Sequence, residues 1–147
     1  MSMTKNITNV FGFDYGKKRI GTATGLTITG SATPNKTINQ VDGNPDWVAI
    51  KKEIDQWRPQ ALIVGMPYHT DGSENDMTRL VKHFCYELEK RFQLPVFEVN
   101  EALSSSEAEA ILKEKMKINQ HNKHEIDRMA AAIIVQRWLD QQTDGLA

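Results

Sequence analysis

Cysteine is almost missing from this chain. A single one, Cys85, stands in 147 residues, which excludes an internal disulfide. Its place on the apolar stripe of an expected helix reads as a small core residue. Long apolar runs are missing too. No stretch approaches the ~20 residues a membrane span needs, and the opening MSMTKNITNVFGF lacks the apolar centre of a signal peptide. The expectation is a soluble, cytoplasmic protein without a membrane partner. Charge of one sign is also lacking, because the formal net charge is −1. Residues 1–73 hold eight cationic and six acidic side chains, and the remainder ten and thirteen. Global electrostatics therefore do not advertise a polyanionic partner, and any such binding must use a local basic patch. The sequence contains no GxSxG, CxxC, HExxH or GxxxxGK[ST], so serine-hydrolase, zinc and P-loop chemistries lack support.

What is present is enough for one domain and one core. With 39% hydrophobic and 25% charged residues, the composition is that of a globular protein, not a disordered one. No repeat, low-complexity tract or linker divides the chain, so residues 1–147 read as a single domain. Val10–Asp14, short and bearing two phenylalanines, predicts a strand. The turn Tyr15-Gly16-Lys17-Lys18 leads to a hairpin partner at Arg19–Thr24. A second turn near Gly25 precedes a third strand at Thr27–Ala32, and Thr33–Pro45 reads mainly as loop.

Trp47, Ile50, Ile54 and Trp57 recur at helical spacing behind Asp46, a suitable cap. Ala61–Val64 predicts a buried strand. Asp71-Gly72-Ser73 turns into a second helix whose inner face holds Met77, Leu80, Val81, Phe84, Cys85, Leu88 and Phe92. Pro95–Val99 predicts a fifth strand. Ser104 and Glu107 form a capping box before a third helix carrying Ala108, Ile111 and Leu112. The basic stretch Lys113–His124 precedes a last helix, about His124 to Asp140. A meander followed by alternating helices and strands predicts an α/β fold: a mixed five-stranded sheet flanked by helices, in outline RNase H-like.

Three carboxylates are candidates for chemistry. Asp14 closes the first strand, and ligands of open α/β sheets collect beyond such strand ends; the alternative is a turn aspartate bonded to its own backbone. Glu101 follows the Pro95–Val99 strand, or is simply a solvated loop glutamate. Asp127 shares a helical stripe with Ala131, Ile134 and Trp138, where a carboxylate is costly unless paired or bound to metal. Alternatively, Asp127 sits solvated at the helix start, favoured by the macrodipole. Converging, the three would hold magnesium, with manganese as the other choice, and support phosphodiester hydrolysis. Lys17, Lys18 and Arg19 beside Asp14, and Lys115, Lys117 and Lys123 before Asp127, are candidates for nucleic-acid phosphates. In the Gly65–Ser73 loop, Gly65 permits close backbone approach and His69 is a substrate candidate. The helix start beyond Ser73 offers free N–H groups, although the same residues also suit a plain tight turn.

FDYGKKRIG, GMPYHTDGS, NEALSS and KHEIDRMAAAIIV, in this order over about residues 10–138, resemble the YqgF family. That resemblance implies an RNase H-like fold related to the RuvC Holliday-junction resolvases, and a nuclease role in maturing the 5′ end of pre-16S ribosomal RNA. It places the family's strand aspartate on Asp14, its glutamate on Glu101, its helical aspartate on Asp127 and its usual lysine on Lys18. Two positions depart from the pattern: Asn100 stands where the family has Asp, and Ala102 where it has Arg. Losing that arginine removes a bidentate phosphate donor or an ion-pair partner. Branched-DNA cleavage and a non-catalytic module that binds ribosomes or nucleic acid are the other readings.

Overall fold

The structure, a computed structural model, describes residues 7–68, 71–101, 114 and 123–144. Strands β1 (Asn9–Tyr15), β2 (Arg19–Leu26), β3 (Ser31–Val41) and β4 (Asn44–Pro45) are followed by helix α1 (Trp47–Trp57) and strand β5 (Ala61–Met66). Helix α2 (Asp76–Phe92), strand β6 (Val96–Asn100) and helix α3 (Lys123–Asp144) complete the described elements. One sheet of order β4-β3-β2-β1-β5-β6 results. Its first four strands pair antiparallel in turn, whereas β5 runs parallel to both β1 and β6.

The expected α/β architecture is present, with a sixth strand added and one span corrected. Thr27–Gly30 forms a turn and the third strand begins at Ser31. It runs on through Thr33–Val41, part of the Thr33–Pro45 stretch whose Asn, Gly and Pro predict mainly loop, although it also holds the strand formers Thr33, Thr37, Ile38 and Val41. These residues suit an exposed strand, and Thr22 at a bulge in β2 holds their backbone: its Oγ1 donates to the Lys36 carbonyl at 2.6 Å and accepts from the Lys36 N–H at 2.9 Å. Asp42 and Gly43, both at positive φ, close the two-residue hairpin that creates β4. The turn expected near Gly25 is instead strand interior.

Side chains alternate across the sheet. Phe11, Phe13, Ile20, Leu62, Val64 and Met66 face α1 and α2. The Phe84 ring of α2 lies 5.4 Å from Phe13 and 5.0 Å from Tyr15. Cys85 is buried here as expected, and burial pushes its thiol up to about 12. Leu80, placed inward by periodicity, is 42% exposed, since it lies at the edge of the helix stripe. Asp46 caps α1 by accepting from the Ala49 N–H at 3.1 Å. Asn75 and Thr78 form a capping box on α2, in which the Thr78 N–H donates to Asn75 Oδ1 at 2.9 Å and the Asn75 N–H to Thr78 Oγ1 at 3.1 Å.

On the opposite face lies α3, buried from Ala131 to Leu139. It approaches unusually closely because the strands offer glycine there. A Cβ on Gly12 would stand 2.1 Å from Val135 Cγ2, and one on Gly25 2.5 Å from Val135 Cγ1. A Cβ on Gly21 would fall 1.9 Å from the Asp127 carbonyl oxygen. This paving fixes how far the helix sinks onto the sheet. Gly12→Ala should therefore cost about 1–3 kcal/mol in urea unfolding, as overpacking does. Adding Val135→Ala should recover part of that loss, because the clash is with a side chain. Gly21→Ala meets backbone and no side-chain truncation should rescue it. Additive costs for Gly12→Ala and Val135→Ala would refute this packing account.

Candidate active site

Three parallel strands, β1, β5 and β6, end at the same edge of the sheet. Asp14, two residues beyond Gly12, points to the α3 face. Glu101 follows the last residue of β6, and its N–H donates to the Met66 carbonyl of β5 at 3.1 Å. Strand β5 separates the two carboxylates, yet they meet. Glu101 Oε1 lies 2.8 Å from where a Cβ on residue 65 would stand. Gly65 thus leaves the gap through which the glutamate reaches across β5 to hydrogen-bond the Asp14 carboxyl.

Two carboxyl groups in contact cannot both ionise cheaply. Asp14 is raised to about 7, first by burial, then by the charges of Glu101 and Asp127, and by its hydrogen bond with Glu101. Glu101 is also raised by burial, while the Arg137 charge and the Asp14 hydrogen bond pull it back. The pair consequently holds one proton near neutrality, with Asp14 the better holder.

Asp127 lies in the first turns of α3, where Gly21 lets the helix backbone touch β2. Its charge is felt at Asp14, but its Oδ2 accepts from Arg19 Nε at 2.8 Å. Asp14 and Glu101 are therefore joined directly, with Asp127 beside them and turned to an arginine. Among the described residues, no three acidic, histidine or cysteine side chains enclose an ion as they stand. The donor chemistry nevertheless fits a hard divalent cation: two touching carboxylates with a proton to exchange and a third at their margin, all oxygen.

Arg19, a phosphate candidate by sequence, is thus engaged within the site. Lys17 and Lys18 are exposed. Their turn is fixed by the Gly16 N–H on the Arg19 carbonyl at 2.9 Å, the Gln40 N–H on the Lys18 carbonyl at 2.9 Å, and the Gln40 side-chain amide on the Gly16 carbonyl. His69, Lys115, Lys117 and the side chain of Lys123 lie outside the described residues, as do the Ser104–Glu107 capping box and the helix expected after it.

Sequence reasoning missed Arg137. Its Nη1 donates to the Asn100 carbonyl at 2.8 Å, and the residue is only 8% exposed. The available signal was the polar pair Gln136-Arg137 inside the apolar run MAAAIIVQRWL, since polar residues in a helix buried all round need partners. Gln136 has its own task, tying the β2–β3 turn through the Gly30 carbonyl at 2.8 Å and the Ala32 N–H at 3.1 Å.

The model of a family described as "RuvX: Holliday junction resolvase" matches residues 8–141. A protein of Legionella pneumophila (strain Paris), named "Putative pre-16S rRNA nuclease", is 48% identical over 130 residues, which span 88% of this chain and 94% of that protein. One of the same name from Hydrogenovibrio crunogenus is 43% identical, covering 94% of this chain and 98% of its own. Among solved structures, RuvC of T. thermophilus in complex with a Holliday junction substrate superposes with a TM-score of 0.59 at 11% identity, covering 92% of this chain and 96% of that one. The yeast mitochondrial Holliday junction resolvase Ydc2 gives 0.57 at 14%, covering 93% and 80%. At such identities the likeness establishes the fold, which is that of the RNase H-like resolvases.

The shared proton has a measurable consequence. The Asp14 carboxyl sits at about 7 in the folded chain against an ordinary 3.8, so folding favours its protonated form. Its contribution to stability is complete below pH ~4 and is lost as pH rises through about 7. In EDTA, the melting temperature should fall between pH 5 and 8. Asp14→Asn should flatten this fall and melt higher than wild type at pH 8. An Asp14→Asn protein with an unchanged pH profile would contradict the carboxyl pairing.

Proposed function

Given that the chain belongs to the RuvX family, we propose that it is a metal-dependent nuclease hydrolysing phosphodiester bonds of structured RNA, the 5′ end of pre-16S ribosomal RNA in particular. The observation that carries this reading is the Asp14–Glu101 carboxyl contact, made across β5 at the ends of three parallel strands. It gathers acidic oxygens at the strand ends, a costly arrangement that a bound cation would offset.

Asp14 and Glu101, with Asp127, would hold magnesium or manganese. The bound ion would supply a Lewis acid that activates water and stabilises the departing oxygen. The chain's own groups do the rest. The carboxyl pair would release its shared proton on taking up such an ion near neutral pH. Arg19 holds Asp127 at the margin and competes with a cation for the same oxygen. Lys17 and Lys18, on a turn that cannot swing freely, offer charge to phosphates on either side of the scissile bond. Asn100 and Ala102 leave Glu101 in place, so the ligand set survives the departures from the family pattern.

The decisive assay gives purified protein a precursor RNA spanning the mature 5′ end and, separately, a four-way DNA junction, each in Mg²⁺ or EDTA. RNA cleavage should require Mg²⁺, and Asp14→Asn should lower it by at least about a hundredfold while leaving the fold intact. Undiminished cleavage by Asp14→Asn would end the carboxylate proposal. Cleavage of the junction alone would assign the chain to branched DNA. Binding without cleavage of either would make it a non-catalytic module.

The lysine turn can be read independently. Each phosphate contact on a single strand contributes a log–log salt slope of roughly −0.7. Lys17→Ala combined with Lys18→Ala should therefore make RNA binding shallower in salt by about 1.4, uniformly across sequences. Metal affinity should not change. Salt curves that superimpose on wild type would show these lysines to be ordinary solvated surface.

A further inference from the structure

Buried charge is expensive unless it is put to use, and Arg137 carries a charge in a residue only 8% exposed. It sits ten residues after Asp127 on α3, about 15 Å further along the axis. From there its guanidinium reaches the end of β6. The peptide group it meets is the one joining Asn100 to Glu101. That single peptide plane is held from both sides: its carbonyl accepts from Arg137 Nη1 at 2.8 Å, and its N–H donates to the Met66 carbonyl at 3.1 Å. Pinning both polar groups removes the freedom of the plane to rotate, which fixes the direction in which the Glu101 side chain leaves the backbone. Direction matters here, because the glutamate reaches Asp14 over Gly65, where a Cβ would stand only 2.8 Å from Glu101 Oε1.

We infer that Arg137 is a positioning residue for Glu101. This rests on the reading of Asp14, Glu101 and Asp127 as a metal centre. It also makes α3 responsible for two of the three carboxylates: Asp127 by carrying it, and Glu101 by gripping the peptide in front of it. With only 8% of the residue exposed and Nη1 on the Asn100 carbonyl, Arg137 acts through Glu101 and not on substrate.

The test is direct titration of the intact protein with Mn²⁺ by calorimetry, beside steady-state RNA cleavage, for wild type, R137K and R137M. Removing a nearby positive charge would by Coulomb's law tighten cation binding, whereas removing a positioning residue weakens it. R137M should bind Mn²⁺ about 10- to 100-fold more weakly. Its kcat should fall in the same range, with KM for RNA within roughly twofold of wild type. R137K, which keeps a donor for the Asn100 carbonyl, should fall between R137M and wild type. If R137M does not fold, R137Q carries the same comparison. Equal or tighter Mn²⁺ binding by the folded variant overturns the inference, and so does a raised KM with unchanged kcat, which would mark a substrate contact. A wild-type protein that binds no Mn²⁺ overturns the metal centre and the inference together. Wild-type binding matched by R137M overturns the inference alone.

Discussion

Everything at the strand ends around Asp14 depends on how deeply α3 settles onto the sheet. The depth is set by absent atoms. Gly12, Gly21 and Gly25 present no Cβ to the helix, and any one of them would place a carbon within 2.5 Å of Val135 or the Asp127 backbone. Alanine and valine on the helix side, at Ala131, Ala132 and Val135, complete the close approach. Interiors packed to crystal density do not yield by half an ångström without cost. The helix is therefore held in one position, and the groups it carries are held with it.

That one position brings charge of both signs to the strand ends. Like charges at Asp14 and Glu101 oppose each other, and burial opposes both, so the pair keeps a proton that isolated carboxyls would have shed. Two arginines moderate the repulsion from opposite sides. Arg19, from the hairpin, pairs with Asp127; Arg137, from α3, favours ionised Glu101 and holds the peptide before it. The oxygens of the site thus have a shared proton and an arginine as partners. Under the proposed metal centre, competition with these partners would make cation binding pH-dependent by linkage, with protons released as the ion enters.

Periodicity made much of this legible. The phenylalanines of β1, the apolar run of β5, the capped α1 and the buried stripe of α3 follow from alternation and 3.6-residue spacing, as does Cys85 in the core. Asp14 and Glu101 at strand ends, and Asp127 on an apolar stripe, were visible for the same reason. The β3 strand escaped because its residues are polar and its strength lies in pairing with β2 and in the Thr22 contacts, which no local pattern announces. Gly25 misled in the opposite direction. A glycine in a strand suggests a turn, but this one serves a helix arriving more than a hundred residues later in the chain.

Which residues can be buried, which can end a strand and which acids are available were readable along the chain, because those are local properties of side chains and their spacing. The chain also carried a family pattern specific enough to imply the fold. Who meets whom was settled by the packing of the folded chain. Glu101 reaches Asp14 because Gly65 of an intervening strand leaves a gap. Arg19 faces Asp127 because β2 lies beneath the start of α3. Arg137 touches the Asn100 carbonyl because the helix is sunk to the depth the glycines permit. These are encounters between segments far apart in the chain, set by excluded volume and by the demand that buried polar groups find partners, and neither acts along the sequence.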